Sequence, residues 1–177
     1  MAGAVAVVVE AQAARAEVFV LGGEEAVVFR AHDAQVFKVG VDRIRPSATS
    51  TAEVPNTSPT AASTGSDLNG WAAWEAANTI KQRMIAFAAE HFGSAPGDIE
   101  FADGTVRIAK PGSNQVLSFG ELAKLCYQGR VALSATGFYK TPKIHWDGAA
   151  MRGRPFFYFS SWAQRTRWAA TTSRMRC

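Results

Sequence analysis

Apolar residues at Ala73, Ala77, Ile80, Met84, Phe87 and Ala88 recur at intervals of three and four, which places them on one helical face. The pattern predicts a helix from Asp67 to about His91, with Gly93 as the stop and Pro96 shortly beyond. Downstream, Ile99–Ala102 and Thr105–Ala109 flank Asp103-Gly104, the dipeptide best suited to a tight hairpin. Ser118 and Glu121 have capping-box spacing and predict a short helix through Leu125. Val131–Thr141 alternates as a strand does and is stopped by Pro142, while Phe156–Ser160 reads as a short aromatic strand. Upstream, Val18–Leu21 and Ala26–Arg30 surround Gly22-Gly23-Glu24-Glu25, which predicts a second hairpin. Asp42–Ala48 reads as a short strand that runs into a polar loop, Thr49–Ser66. The fold class this mixture predicts is α+β.

A hydrophobic content of 47% and an aromatic content of 11% in 177 residues suit a chain that folds around buried surface. No apolar run approaches the roughly 18–20 residues that span a bilayer. Ala4–Val9 is short for a signal peptide, has no basic residue before it and is followed at once by Glu10. The expectation is a cytoplasmic chain with no membrane partner. Two cysteines, Cys126 and Cys177, supply no disulfide framework and no zinc or iron–sulfur ligand set. The net charge of +4 resides in Ser161–Cys177, whose four arginines leave 15 basic against 15 acidic residues elsewhere. Charge confined to one end gives no stripe that could track a phosphate backbone, so no nucleic-acid partner is expected.

Most residues with chemical potential have plain structural readings. His32, His91 and His145 lack metal-ligand spacing, and no metal ligand is assigned. Cys126 lies on a predicted helix among apolar neighbours, where a small buried hydrophobe is expected. Glu24 and Glu25 are adjacent, and a turn explains them better than a carboxylate pair. Phe156–Phe159 is read as a core strand, and Arg152 and Arg154 as solvated charges in a loop. The stretch from Pro55 to Asp67 differs, because small and hydroxyl-bearing residues there feed a helix N-terminus. Unpaired backbone N–H groups at such a terminus suit a phosphate-type ligand, and small side chains permit close approach. A polar loop before a helix capped by Ser66 or Asp67 accounts for the same residues. Residue types alone leave both readings open.

The run Thr51–Gly70, TAEVPNTSPTAASTGSDLNG, resembles the cofactor loop of the xanthine dehydrogenase molybdenum domain. LSATGFYKTP at Leu133–Pro142 and PFFYFS at Pro155–Ser160 are similar to the same family in the same order. The resemblance covers residues 41–160, and the version seen here resembles bacterial subunits, whose molybdenum chain is separate from the iron–sulfur and flavin chain. It implies a partial molybdenum-cofactor-binding domain of the xanthine dehydrogenase/aldehyde oxidase type. It further implies a molybdenum–molybdopterin cofactor and hydroxylation of hypoxanthine to xanthine and xanthine to urate. The oxygen comes from water, a glutamate serves as base, and electrons pass through iron–sulfur clusters and FAD on a partner subunit to NAD. By the loop motif, Ala62 lies nearest the metal, and Thr60, Ala61, Ser63, Thr64 and Gly65 contact the cofactor. Gly65 stands where some members carry Ser.

Other family features are missing from this sequence. It contains neither the Gly-Gln-Gly loop nor the Gly-Glu-Pro-Pro segment that bears the catalytic glutamate, so no catalytic residue is assigned. The expected organisation is a non-matching segment at 1–40, part of the molybdopterin-binding domain at 41–160, and a non-matching basic tail at 161–177. The ends read as out-of-frame translation, and the isolated chain is expected to be inactive. The rival expectations are a non-enzymatic remnant that binds no cofactor, and a fragment of an aldehyde oxidase-type molybdenum hydroxylase.

Overall fold

A computed structural model describes residues 2–12, 15–21, 33–46, 65–110 and 112–154. The chain divides into two units, Ala2–Tyr139 and a smaller one formed by Lys140–Cys177 together with Met1.

In the larger unit, β1 (Ala2–Gln12) and β2 (Arg15–Leu21) pair antiparallel, with Val9 opposite Val18. The hairpin partner of β2 is therefore the Ala/Val run before it. The sequence points to 26–30 instead, because Gly22-Gly23 is the more obvious turn; residues 22–32 lie outside the described residues. A short helical stretch at 33–37 and a 3₁₀ turn at Val41–Arg43 lead into β3 (Ile44–Pro46), which pairs parallel with β2. The strand expected over 42–48 is thus shorter, with its first residues in the 3₁₀ turn.

The long helix, α1, spans Gly70–Phe92 and ends at Gly93, whose φ of 64° is the left-handed conformation glycine adopts without penalty. Its buried face contains Ala72, Ala73, Ala76, Ala77, Ile80, Met84 and Ala88, which matches the predicted period, with Phe87 half-buried beside it. The meander that follows consists of β4 (Ile99–Ala102), β5 (Thr105–Ile108) and β6 (Gln115–Ser118). Asp103 and Gly104 both take positive φ, 48° and 73°, at the β4–β5 turn. Ser118 caps α2 (Phe119–Gln128) as the capping box predicts, and the helix runs three residues beyond Leu125. Finally β7 (Ser134–Lys140) completes a sheet of order β3-β2-β1-β7.

The core lies between this sheet and the helices. Val7, Val9, Val18 and Ile44 from the sheet join Ile80 and Met84 of α1 and Phe119, Leu122 and Cys126 of α2, all buried. Removal of this apolar surface from water is the main stabilising contribution. In the smaller unit, β8 (His145–Asp147) and β9 (Arg152–Arg154) form an antiparallel hairpin. Arg152 and Arg154 are therefore on a strand and not in a loop, although exposed as expected. Phe156–Ser160 and the tail 161–177 lie outside the described residues.

Candidate functional site

Five of the six candidate cofactor residues, Thr60, Ala61, Ala62, Ser63 and Thr64, lie outside the described residues. Gly65 is described. It is buried and opens a π-helical turn, Gly65–Asn69, that runs directly into α1. The N-cap of α1 is Asn69, in helical conformation and with no side-chain cap bond. Neither Ser66 nor Asp67 caps α1, because the π turn extends the helical path through both. The first turn of α1 contains no acidic residue, and Gly70 is buried. The loop exit, from Gly65 onward, fits an anionic group bound through main-chain N–H. Gly65 and Gly70 carry no side chain, and Asn69, the N-cap of α1, makes no side-chain cap bond.

The start of α1 is held by β7, the strand of the second motif. Gly137 is buried against the helix, and a Cβ there would overlap the main-chain carbonyl of Ala72 and come within 2.8 Å of Ala76 N. Trp71 stacks on Tyr139 at 5.9 Å between centroids and meets Trp74 edge-on at 5.2 Å. Two turns and more along α1, Arg83 donates from Nη1 to the carbonyls of Ala132 (3.2 Å) and Ser134 (2.9 Å). Gly137 and Tyr139 of the GFY motif thus dock β7 against the start of α1, while Phe138 is exposed. The motif's sequence signal is a lone glycine in a strand, which often marks close backbone approach.

Of the remaining candidates, Cys126 takes the structural role expected of it. Cys126 is buried, and burial pushes its thiol up to about 12, so it is not a nucleophile. His91 is exposed and lies against Phe87 and Phe92, at 5.4 and 4.7 Å. His145 is exposed on β8, and His32 lies outside the described residues, as do Glu24 and Glu25. Among the described residues no three His, Cys, Asp or Glu side chains gather as metal ligands. No helix among them is long and apolar enough to cross a membrane.

Two charged groups escape sequence reasoning. Asp33 is fully buried, and neither carboxylate oxygen has a hydrogen-bond partner among the described residues. Desolvation raises its carboxyl to about 8. Lys81 donates to the Val36 carbonyl at 2.9 Å and lies 5.0 Å above the Phe101 ring. Its ammonium is held below the usual lysine range by desolvation first and by Lys38 second. Neither residue interrupts a pattern strongly enough to be noticed in the sequence.

A four-stranded sheet covered by two helices gives the larger unit a mixed α and β structure. Residues 23–168 match the family model of the molybdopterin cofactor-binding domain. The chain belongs to that family. It is 37% identical over 126 residues to a xanthine dehydrogenase/oxidase of Felis catus, covering 71% of this chain and 8% of that protein. It is equally similar, 37% over 130 residues, to a nicotinate hydroxylase of Emericella nidulans, covering 72% of this chain and 8% of the relative. The chain therefore spans about a twelfth of the length of these relatives. Quinoline 2-oxidoreductase from Pseudomonas putida 86 shares the fold. Its TM-score is 0.63 at 22% identity, with 80% of this chain and 19% of that one covered.

Proposed function

We propose that this chain is the cofactor-loop portion of a xanthine dehydrogenase-type molybdenum hydroxylase, acting in the conversion of hypoxanthine and xanthine to urate. The observation that carries this reading is the PNTSPTAASTG run ending on a buried glycine at the entrance to α1, within a chain of the molybdopterin cofactor-binding family. In this reading Thr60, Ala61, Ala62, Ser63, Thr64 and Gly65 hold the pterin, with Ala62 nearest the molybdenum. When bound, the cofactor supplies the redox and hydroxylation chemistry. The chain's own part is to orient the group through backbone N–H and hydroxyl donors and to keep bulk away from it. Iron–sulfur clusters and FAD belong to a partner subunit, and the assembly works in the cytoplasm. The isolated chain contains no glutamate base segment and turns over neither purine.

The nicotinate hydroxylase relative supports a second reading, in which the substrate is another nitrogen heterocycle. One experiment separates these possibilities. Residues 41–160 replace the matching segment of an intact xanthine dehydrogenase, and molybdenum content is measured beside turnover on xanthine, nicotinate and an aldehyde. Retained metal with xanthine turnover is the expected result, and Ala62→Leu in the same chimera should strip the molybdenum while leaving the thermal transition in place. Full metal content in the Ala62→Leu chimera would overturn the loop assignment. Retained metal with preference for nicotinate or the aldehyde would overturn the purine assignment.

A further inference from the structure

The junction between β7 and α1 links a strand motif to the cofactor loop. Gly137 brings β7 so close to α1 that any side chain at 137 would strike helix backbone, which no change of rotamer can relieve. Both partners are anchored elsewhere. Leu133, just before β7, accepts a bond from Val9 N at 2.8 Å, and the middle of α1 is tied to the approach of β7 by Arg83. The start of α1 packs into the core through Ala72, Ala73, Ala76 and Ala77, so an obstruction at Ala72 is met where the helix is closely packed and must be answered by a shift of the helix itself. Because a helix moves as a stiff body, an obstruction at Ala72 would pivot the helix about its Arg83 end. Displacement would then be largest over Gly65–Gly70, where the cofactor loop meets the helix.

We propose that Gly137 is a positioning residue for molybdopterin. By admitting the α1 backbone against β7 it fixes where the loop exit lies, and Tyr139 stacked on Trp71 holds that setting. This inference rests on the reading that the loop before α1 binds the cofactor.

A matched control exists in the same chain. A Cβ on Gly129 would also collide, but with the Phe87 ring, lying 2.8 Å from Cζ, at the far half of α1. The test uses the full chain as wild type, Gly137→Ala, Gly129→Ala and Tyr139→Leu. Amide hydrogen exchange is read by segment, and affinity for isolated molybdopterin is read by quenching of tryptophan fluorescence. Gly137→Ala should speed exchange over 65–77 at least tenfold, leave 119–128 unchanged, and weaken binding at least tenfold. Tyr139→Leu, which introduces no backbone collision, should weaken binding about threefold. Gly129→Ala should lower the melting temperature but keep affinity within twofold. If Gly137→Ala binds as wild type does, or if Gly129→Ala loses affinity equally, the positioning role is refuted. A uniform rise in exchange along the Gly137→Ala chain refutes it as well. Should Gly137→Ala fail to fold, wild-type affinity in Tyr139→Leu refutes the role by itself. A wild-type chain that does not bind molybdopterin overturns the cofactor reading instead, and the segmental exchange pattern still decides whether position 137 controls the loop exit.

Discussion

Residues 33–39 and 99–128 lie against the same core, with Phe37 and Phe119 5.4 Å apart, yet they treat carboxylates in opposite ways. In the second region Glu121 is exposed and accepts the Ser118 N–H at 2.7 Å, while Ser118 Oγ accepts from Glu121 N at 3.2 Å. The carboxylate also accepts the Ser118 hydroxyl at 2.8 Å, and its bonds from the Ser118 backbone first and the hydroxyl second hold the Glu121 carboxyl below its usual range. In the first region Asp33 occupies an apolar position with no such partner among the described residues. A carboxylate near a helix start therefore stabilises only where its oxygens meet donors. Buried without them, it opposes folding whenever it is ionised.

Asp33 puts this contrast to its strongest test. Its folded pKa, about 8, lies above the ordinary 3.8, so the folded chain is the better proton binder. The Asp33 contribution is then fully present below pH 4, declines as pH rises, and levels off above about 8. The loss across that window is on the order of 5 kcal/mol. Asp33→Val should remove the decline and raise the melting temperature most at pH 9. Equal melting of the two chains at pH 6 and pH 9 would show that Asp33 has found a partner. Next in size, Leu122→Ala removes a fully buried side chain from the second region. It should cost about 3 kcal/mol in denaturant unfolding, and a cost below about 1 would mean that the core there is loosely packed. The smallest effect belongs to the cap. Ser118→Ala should cost about 1 kcal/mol near neutral pH. Because Glu121 is depressed, its contribution is present above the ordinary carboxylate range and fades as pH falls, so the gap between variant and wild type should narrow in acid but not close, since Ser118 Oγ still accepts from Glu121 N.

Legibility in the sequence follows how local each signal is. Helix α1, the Asp103-Gly104 hairpin and the Ser118 cap each carry their signal within a few residues, and each forms as the sequence predicts. The β1–β2 pairing does not announce itself, because an Ala/Val run without alternation fits a strand, a helix or a leader equally well. The π turn at Gly65–Asn69 is hidden for a related reason, since Ser66 and Asp67 are good cap residues on either helical path. Burial of Asp33 is set by tertiary packing alone. At the candidate site, the small-residue loop is visible as a motif, and Gly65, the one candidate residue described, opens the π turn that leads into α1. The close contact of Gly137 with Ala72 depends on two segments far apart in sequence, so composition can only mark the glycine as unusual.

The bond from Val9 N–H to the Leu133 carbonyl has a consequence for the order in which the chain acquires its structure. It closes a loop that contains nearly every other element of the larger unit, whereas β4, β5 and β6 pair only with their sequence neighbours. Local pairings form early and distant ones wait for chain entropy to be overcome. The meander, α2 and α1 can therefore assemble as a nucleus while β7 is still seeking β1. If Gly137 sets the start of α1 as proposed, that start is fixed only when β7 arrives, and the loop exit is then among the last places in the fold to become rigid.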